Sequence, residues 1–502
     1  MKLSSKIGLF AGAAAFLYVL IFTDLDPSNP KITYTAGVAL LMAILWMTEA
    51  IPLAATSLIP LILFPLFGIL KGEEIAGAYI NSIIFLFLGG FLLALAMEEW
   101  GLHKRIALKI ITLFGGSPGS IIIGFMIATA FLSMWISNTA TAIMMLPIGL
   151  AIIQKMEIEF GDEKVKNFSI ILMLSIAYAC SLGGIATIIG TPPNLVFMRI
   201  SKIVFPSAPV VSFTSWMMLA LPISVLMLVF SSFMLTKVFF KFDKKLVIDP
   251  AFIKEEYKKL GKISFEELTI GLVFGITALL WVFRADIDLG FINIPGWQNL
   301  LPYPNFINDG TVAITMAVVL FVIPSKNKEK KDGRLLDAKV FARVPWSVIL
   351  LFGGGFALAE GFTKSGLSEF IGSRFHSIGN LSPLIIVFAV AASINFLTEL
   401  TSNTATSQVI LPVMASVSVA LGIHPFLLMI VATLSSSMAF MLPVATPPNT
   451  IIFASNRVKI SDMIKAGFVL NMMSIILVSI LIYLLGNILF DFNIFPEWAR
   501  IS

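Results

Sequence analysis

One five-residue motif, Ser-Asn-Thr-Ala-Thr, occurs twice in this chain, at 137–141 and again at 402–406. Each copy interrupts an apolar segment of nearly forty residues, 118–155 in the first half and 383–421 in the second. Each is followed by a second polar break, Thr-Pro-Pro-Asn, at 191–194 and 446–449. Because unsatisfied backbone groups are costly in an apolar environment, such breaks persist where they serve a site. The paired breaks predict one binding site built from two repeats.

The composition indicates a membrane protein. Of the 502 residues, 58% are hydrophobic and only 13% are charged, about half of the charged fraction of an ordinary soluble domain. We therefore expect an all-α integral membrane fold, with the lipid bilayer as its surroundings. The net charge of +5 comes from basic residues in short loops between apolar spans, so no nucleic-acid partner is expected. Cys180 is the single cysteine and is expected to be a small core residue.

Stretches of about 20 apolar residues recur along the chain, the length that spans a bilayer as a helix. The first follows Lys2 and Lys6 and is interpreted as a transmembrane helix rather than a signal peptide, because Asp24 and Pro27 follow it instead of a small-residue cleavage site. We predict eleven transmembrane helices, plus two re-entrant hairpins at about 118–155 and 383–421. The spans start near Ile7, Ile32, Ile51, Ser82, Phe168, Ser215, Leu268, Val312, Trp346, Pro425 and Phe468.

The distribution of lysine and arginine predicts the orientation. The loop 236–264 holds eight lysines and the loop 325–343 holds seven basic residues, whereas 24–31 and 285–308 hold one between them. Basic loops stay on the cytoplasmic side. We therefore expect a cytoplasmic N-terminus and an external C-terminus in the cell (inner) membrane. Arg199 and Lys202 are mild exceptions to this pattern.

The repeat extends beyond the Ser-Asn-Thr motif. At the same offset of 265 residues, Gly89-Gly90-Phe91 returns as Gly354-Gly355-Phe356, and Ser133 is matched by Thr398. The second break comes 54 residues after Ser137 but 44 after Ser402. We assign the extra ten residues to the charged stretch 157–166. An odd number of intervening crossings would make the repeats inverted. The repeat divides the chain into five predicted parts, 1–81, 82–210, 211–344, 345–466 and 467–502.

The chemistry of the breaks favours a monovalent cation. A helix that begins after a break presents free N–H groups to an anion, and one that ends before it presents carbonyl oxygens to a cation. The ligands are neutral oxygens without clustered Cys, His or acidic groups, which fits Na⁺ better than transition metals or Ca²⁺. The predicted cation ligands are Ser133, Ser137, Asn138 and the Gly190 carbonyl, then Thr398, the Thr401 carbonyl, Asn403 and the Ala445 carbonyl.

Several ionisable residues lie near the ends of the predicted spans, and Glu399 stands out because it directly follows Thr398. Two interpretations remain open for them. They could form a proton relay or carry a coupling charge, or they could pair and reach toward the membrane interface.

These motifs resemble the divalent anion:sodium symporters, the INDY-type di- and tricarboxylate transporters. The resemblance covers essentially the whole chain and includes the segment 46–52, Trp-Met-Thr-Glu-Ala-Ile-Pro. It implies a homodimer in which a mobile transport domain moves against a scaffold, the elevator mechanism. The resemblance places 82–210 and 345–466 in the transport domain, 1–81 and 211–344 in the scaffold, the latter with cytoplasmic loops, and the last transmembrane helix in 467–502. It implies the same two Na⁺ sites as above. It also implies substrate contacts at Asn138, Thr139, Thr191, Asn403, Thr404 and Thr446.

The function expected from these features is Na⁺-coupled symport of C4-type dicarboxylates such as succinate, malate, fumarate and oxoglutarate. Two alternatives share the fold: a Na⁺-independent dicarboxylate exchanger, and a symporter of sulfate or another divalent anion. A channel is disfavoured by two closed oxygen cages. An enzyme is not expected, because the sequence contains no nucleophile–base pair.

Overall fold

The computed structural model describes residues 3–242, 246–247, 249–288, 292–327, 333–375 and 381–500. The described chain is helical apart from a short antiparallel strand pair, β1 (Ile287–Asp288) and β2 (Asn293–Ile294). The predicted all-α class is thus confirmed. Parts of the two basic loops, 243–245 with 248 and 328–332, lie outside the described residues.

The first half of the described chain contains eleven helices, and the last of them follows the first Thr-Pro-Pro-Asn break. They are α1 (Leu3–Phe22), α2 (Pro30–Thr48), α3 (Leu53–Thr56), α4 (Ile59–Leu66), α5 (Gly72–Tyr79), α6 (Ser82–Glu99), α7 (Leu102–Thr112), α8 (Pro118–Ser133), α9 (Asn138–Phe160), α10 (Asp162–Gly184) and α11 (Pro192–Val204).

The second half of the described chain also contains eleven helices, which include those around the second pair of breaks. They are α12 (Phe213–Phe233, continued by a π-helical turn Met234–Phe239), α13 (Pro250–Lys259), α14 (Phe265–Val282), α15 (Asp309–Val322), α16 (Trp346–Ser365), α17 (Leu367–Ser373), α18 (Pro383–Thr398), α19 (Asn403–Ala420), α20 (Pro425–Ser435), α21 (Pro447–Phe453) and α22 (Ile460–Phe490). Short 3-10 turns lie at Trp297–Leu300, Pro304–Phe306, Ala338–Arg343 and Glu497–Ala499.

Among the described residues, nine helices are long and apolar enough to cross a membrane. Eight of them coincide with predicted spans, and the ninth is α9, which the sequence assigned to the first hairpin. The predicted spans near Ile51, Val312 and Pro425 form shorter apolar helices of 10–17 residues. The chain is therefore a multi-pass membrane protein, and the count of eleven crossings with two re-entrant hairpins stays a prediction.

The two halves repeat in structure as well as in sequence. Both α8 and α18 begin at a proline and end five residues before the Ser-Asn-Thr asparagine, at an offset of 265. Ser117 Oγ caps α8 through the Ser120 N–H at 3.3 Å, and Ser382 Oγ caps α18 through Ile385 at 3.4 Å. The stretch 157–166, predicted to hold ten extra residues, ends α9 and begins α10. The excess therefore lengthens these two helices rather than a loop.

Glycine is required at the matching turns that follow α6 and α16. Gly101 and Gly366 have φ values of +72° and +84°. These lie in the left-handed region, which L side chains adopt only with strain. Each turn redirects the chain into a short helix, α7 or α17, before the hairpin begins. The spacing that repeats in the sequence thus marks a repeated backbone geometry.

Close packing pairs particular helices of the two halves. Helix α6 lies along α15, and a Cβ on Gly89 would come 2.6 Å from the Ala313 Cβ. Helix α12 packs mainly against α10 and α22 instead. Small residues that bring backbones together are the usual means of helix association in membranes. These contacts pair α6 with α15, and α12 with the helices beside the breaks.

The two repeats interlock around the breaks. Helix α9, which follows the first Ser-Asn-Thr motif, packs against α21, which follows the second Thr-Pro-Pro-Asn break. In the same way α19 packs against α11. Arg457 and Glu157 add an ion pair between the halves, with Nη2 and Oε2 3.1 Å apart. The helices that begin at the four breaks therefore pack together across the two halves.

Three of the glutamates near the span ends, Glu98, Glu99 and Glu360, pair with arginines. Arg199, one of the exceptions to the charge pattern, donates to Glu360 Oε1 at 3.1 Å. Arg343 lies 3.0 Å from Glu98 and 3.6 Å from Glu99. For these residues the structure supports the interpretation that they pair with neighbouring charges.

Candidate functional site

Each Ser-Asn-Thr motif is a break between two consecutive helices. Helix α8 ends at Ser133 and α9 begins at Asn138, where the Ser137 Oγ accepts a hydrogen bond from the Ala140 N–H at 3.3 Å. The second motif makes the same kind of break between α18 and α19, but there the Ser402 side chain forms no cap hydrogen bond. The first turns of α9 and α19 leave N–H groups without helical partners and concentrate the positive end of the helix dipole.

In the first half, oxygen atoms converge beside Ser133. Its Oγ donates to the Cys180 carbonyl at 2.8 Å and lies 2.6 Å from the Asn138 side-chain amide. The amide atom facing Ser133 also lies 3.3 Å from the Gly190 carbonyl and 3.2 Å from the Cys180 carbonyl. If this atom is the amide nitrogen, it donates to all three oxygens. If it is the oxygen, four oxygens share one small space, which is the arrangement that a hard cation stabilises.

In the second half, Thr398 takes the place of Ser133. Its Oγ1 lies 2.7 Å from the Asn403 Oδ1 and donates to the Ser436 carbonyl at 2.8 Å. Ser133 and Thr398 are both fully buried. A hydroxyl, an amide and a helix-end carbonyl thus meet in both halves with nearly equal distances. Such agreement between two distant segments favours a conserved role for the geometry within the molecule over local back-bonding of single hydroxyls.

Glycines allow α10, which follows the first hairpin, and the loop after α10 to approach the first cluster. A Cβ on Gly184 would lie 2.5 Å from the Asn138 Oδ1, and one on Gly183 would overlap the Ala130 carbonyl of α8. A Cβ on Gly190 would overlap the carbonyl of Gly184. The cluster around Asn138 therefore depends on the absence of side chains at two positions at the end of α10 and at one position in the loop that follows.

The asparagines of the Thr-Pro-Pro-Asn breaks hold the loops that precede them. Asn194 Nδ2 donates to the carbonyls of Gly184, Ile185 and Thr187 at 3.4, 3.3 and 2.7 Å. Asn449 Nδ2 donates to the carbonyls of Ala439 and Leu442 at 3.3 and 3.1 Å. Both side chains are fully buried. The sequence analysis did not assign these asparagines a role, although their repetition in both breaks was a visible signal.

The other predicted site residues lie around the same breaks. Thr139 and Thr404 occupy the first turns of α9 and α19, and Thr191 and Thr446 are the N-caps of α11 and α21. Thr401 Oγ1 is engaged by the Leu397 carbonyl at 3.0 Å and by the Thr406 hydroxyl at 2.6 Å.

The Thr401 hydroxyl is thus engaged within its own hairpin, and the contribution of the Thr401 carbonyl to a cation site stays a prediction. Within the described ranges, no Lys or Arg side chain is hydrogen-bonded to any of the twelve predicted site residues, which are Ser133, Ser137, Asn138, Thr139, Gly190, Thr191, Thr398, Thr401, Asn403, Thr404, Ala445 and Thr446.

A multi-pass membrane protein of two related halves, with paired helix breaks whose helices pack together across the halves, has the architecture of a secondary transporter. The chain belongs to the sodium:sulfate symporter family, because residues 4–492 match the family described as "Sodium:sulfate symporter transmembrane region". The resemblance drawn from the sequence motifs is thereby confirmed.

Relatives in this family are similar over nearly their whole length. The sodium-dependent dicarboxylate transporter SdcS of Staphylococcus saprophyticus is 42% identical over 484 residues, covering 95% of this chain and 91% of that protein. The transporter of the same name from Staphylococcus aureus strain MSSA476 is 41% identical over 493 residues, covering 97% and 92%.

Two solved structures share the fold. The Alcanivorax borkumensis YdaH transporter superimposes with a TM-score of 0.56 at 14% identity, covering 93% of this chain and 100% of its own. Neisseria gonorrhoeae MtrF superimposes with a TM-score of 0.55 at 10% identity, covering 93% and 96%. At these identities the likeness concerns the fold alone.

Proposed function

We propose that this protein is a secondary active transporter that couples the uptake of C4-type dicarboxylates to Na⁺. The observation that carries the proposal is the pair of matching oxygen clusters, Ser133 with Asn138 and Thr398 with Asn403. Neutral hydroxyl, amide and carbonyl oxygens suit a hard monovalent cation. The names of the staphylococcal relatives, both sodium-dependent dicarboxylate transporters, support the same conclusion.

The proposed Na⁺ sites use the two clusters together with carbonyls from the breaks. The first site takes oxygens of Ser133, Ser137, Asn138 and Gly190, and the second takes those of Thr398, Thr401, Asn403 and Ala445. Na⁺ is cargo here, carried with the substrate and released on the other side.

The proposed substrate site lies between the two Ser-Asn-Thr motifs. The N-termini of α9 and α19 each offer free N–H groups to one carboxylate. The hydroxyls and amides that complete the site belong to Asn138, Thr139, Thr191, Asn403, Thr404 and Thr446. No cationic side chain is bound to these residues in the described part of the chain, so the two substrate charges depend on the bound Na⁺ ions. This dependence provides the coupling.

The proposed movement is an elevator motion of the segments beside the breaks against a scaffold, in a homodimer within the cell membrane. The parts are 1–81, 82–210, 211–344, 345–466 and 467–502, with two adjustments that the packing favours. Helix α6 is assigned to the scaffold because it lies along α15, and α12 is assigned to the transport part because it packs on α10 and α22. The N-terminus is proposed to be cytoplasmic and the C-terminus external.

Substrate competition tests the proposed substrate class. We expect excess unlabelled malate, fumarate or oxoglutarate to suppress Na⁺-driven uptake of labelled succinate to background in proteoliposomes. Sulfate is expected to leave this uptake unchanged, because one compact tetrahedral ion does not reach the two helix N-termini as two separate carboxylates do. Suppression by sulfate, together with Na⁺-driven accumulation of labelled sulfate, would favour the inorganic-anion alternative.

A further inference from the structure

Glu399 is a buried carboxylate beside the second proposed Na⁺ site. It follows the last residue of α18, Thr398, and only 3% of its surface is exposed. Among the described residues, no Lys, Arg or His forms an ion pair with it. Burying a carboxylate without a cationic partner is costly unless hydrogen bonds satisfy its charge.

The carboxylate is satisfied by backbone groups of the loop before the second Thr-Pro-Pro-Asn break. Its Oε1 accepts from the N–H groups of Phe440 at 2.7 Å and Met441 at 2.9 Å, and its Oε2 accepts from Leu442 at 3.0 Å. Asn471 Nδ2 of α22 donates to Oε1 at 2.8 Å. Four donors therefore converge on one side chain, and charge-assisted hydrogen bonds of this kind are the strong ones.

This loop needs an external acceptor because α20 ends early. The N–H groups of Ser437 and Met438 still bond back to the helix, at 3.0 and 3.1 Å. The N–H groups of Phe440, Met441 and Leu442 point to Glu399 instead. Leu442, the last of them, accepts from the Ala445 N–H at 3.2 Å. Glu399 thus fixes the segment whose end carries the Ala445 carbonyl.

The first half holds the same segment without a charge. Met134 occupies the position that corresponds to Glu399 at the offset of 265 residues. There the Thr187 Oγ1 donates to the Met134 carbonyl at 2.5 Å and accepts from the Gly190 N–H at 3.1 Å. A neutral hydroxyl therefore links the loop before the first Thr-Pro-Pro-Asn break to its hairpin by hydrogen bonds. In the second half, a carboxylate makes the corresponding link.

We infer that Glu399 is a positioning residue for the second cation site and gives that site a fixed negative charge that the first site lacks. It fixes the 440–442 segment, which leads to Ala445 of the proposed site, and its charge lowers the cost of bringing a cation into the membrane interior. The two Na⁺ sites are accordingly unequal. This inference rests on the proposed placement of the Na⁺ sites.

Na⁺ titration of the purified full-length protein tests the inference, with the thermal unfolding midpoint as readout, choline as the replacement ion and no dicarboxylate present. Glu399→Gln keeps the shape of the side chain and removes its charge. We expect it to raise the half-saturating Na⁺ concentration about tenfold or more, since a unit charge a few ångströms away contributes at least that much. Met134→Gln, the matched change in the first half, is expected to shift it less than about twofold.

Two further variants make every outcome decisive. Asn471→Ala keeps the charge but removes one donor, and we expect a smaller rise in the same direction; it replaces Glu399→Gln if that variant does not fold. Asn403→Ala removes a proposed ligand of the second site. If Asn403→Ala weakens the Na⁺ response while Glu399→Gln and Asn471→Ala keep the half-saturation of the unaltered protein, the inference on Glu399 fails alone. If Asn403→Ala leaves the response unchanged, the proposed site fails as well.

Discussion

Replacing Asn138 or Asn403 by alanine is expected to abolish Na⁺-dependent dicarboxylate uptake while the protein remains folded. Each asparagine is the first residue of a helix and the side-chain amide closest to the buried hydroxyl of its half, at 2.6 Å from Ser133 and 2.7 Å from Thr398. Alanine removes the amide oxygen proposed to bind the cation and a polar group facing the substrate. Each variant loses one contact to the cation and one to the substrate, so the loss of transport is expected to exceed the effect of a single missing hydrogen bond.

Initial rates of labelled succinate uptake in proteoliposomes measure this effect, with size-exclusion profile and unfolding midpoint as the tests of folding. Asn167→Ala is the matched control, because Asn167 lies at the exposed end of α10 and donates only to the Lys241 carbonyl at 2.7 Å. We expect the control to transport at the unaltered rate. Near-normal uptake by either Asn138→Ala or Asn403→Ala would refute the assignment of that half of the site.

Gly184→Ala is expected to produce the second large effect. In an ordinary helix, alanine is favoured over glycine by up to about 1 kcal/mol. Here the new Cβ would lie 2.5 Å from the Asn138 Oδ1 and 3.1 Å from its Nδ2. The amide must turn away from Ser133 and Gly190, so we expect the half-saturating Na⁺ concentration for uptake to rise about tenfold or more, since about 1.4 kcal/mol suffices for that change.

The control for this substitution is Gly119→Ala at the start of α8, where an added Cβ would meet no atom within 4 Å. It is expected to leave Na⁺ dependence unchanged and to stabilise the protein slightly. Uptake by Gly184→Ala with the normal Na⁺ dependence would show that the Asn138 amide can move without loss, which contradicts its proposed role as a cation ligand.

The repeat, the hairpin arms and the caps of their helices follow from local sequence. The segments predicted at 118–155 and 383–421 begin at the prolines where α8 and α18 begin. A polar residue inside an apolar stretch stands out, so break positions are readable without tertiary information. The shortness of the helices at 53–66, 309–322 and 425–435 was not predictable in this way. Apolar composition continues past their ends, and the surrounding packing decides where each helix stops.

Some contacts of the candidate site were likewise predictable from local sequence, and others were not. Ser133 and Asn138 are close in sequence, and so are Thr398 and Asn403, so their clustering was predictable from helix geometry. The carbonyls of Cys180 and Ser436, which accept from the two hydroxyls, were missed because a backbone oxygen has no side-chain signature.

Glu399 shows what long-range contacts add to the sequence. From the sequence alone, two roles stayed open for Glu399: it could carry a coupling charge, or it could pair with another residue at the membrane interface. Its donors are instead backbone N–H groups 41 to 43 residues away and Asn471, 72 residues away. Only the folded chain brings these groups together, so their convergence on one carboxylate could not be inferred from sequence.

The most direct test of Na⁺-coupled dicarboxylate symport is the uptake of labelled succinate into empty proteoliposomes, comparing an inward Na⁺ gradient with an equal choline gradient. We expect accumulation above the external concentration with Na⁺ and none with choline, because the dicarboxylate site depends on bound cations to offset its charge. No uptake into empty liposomes under either gradient, but uptake once unlabelled dicarboxylate is loaded inside, would identify an exchanger and contradict the account.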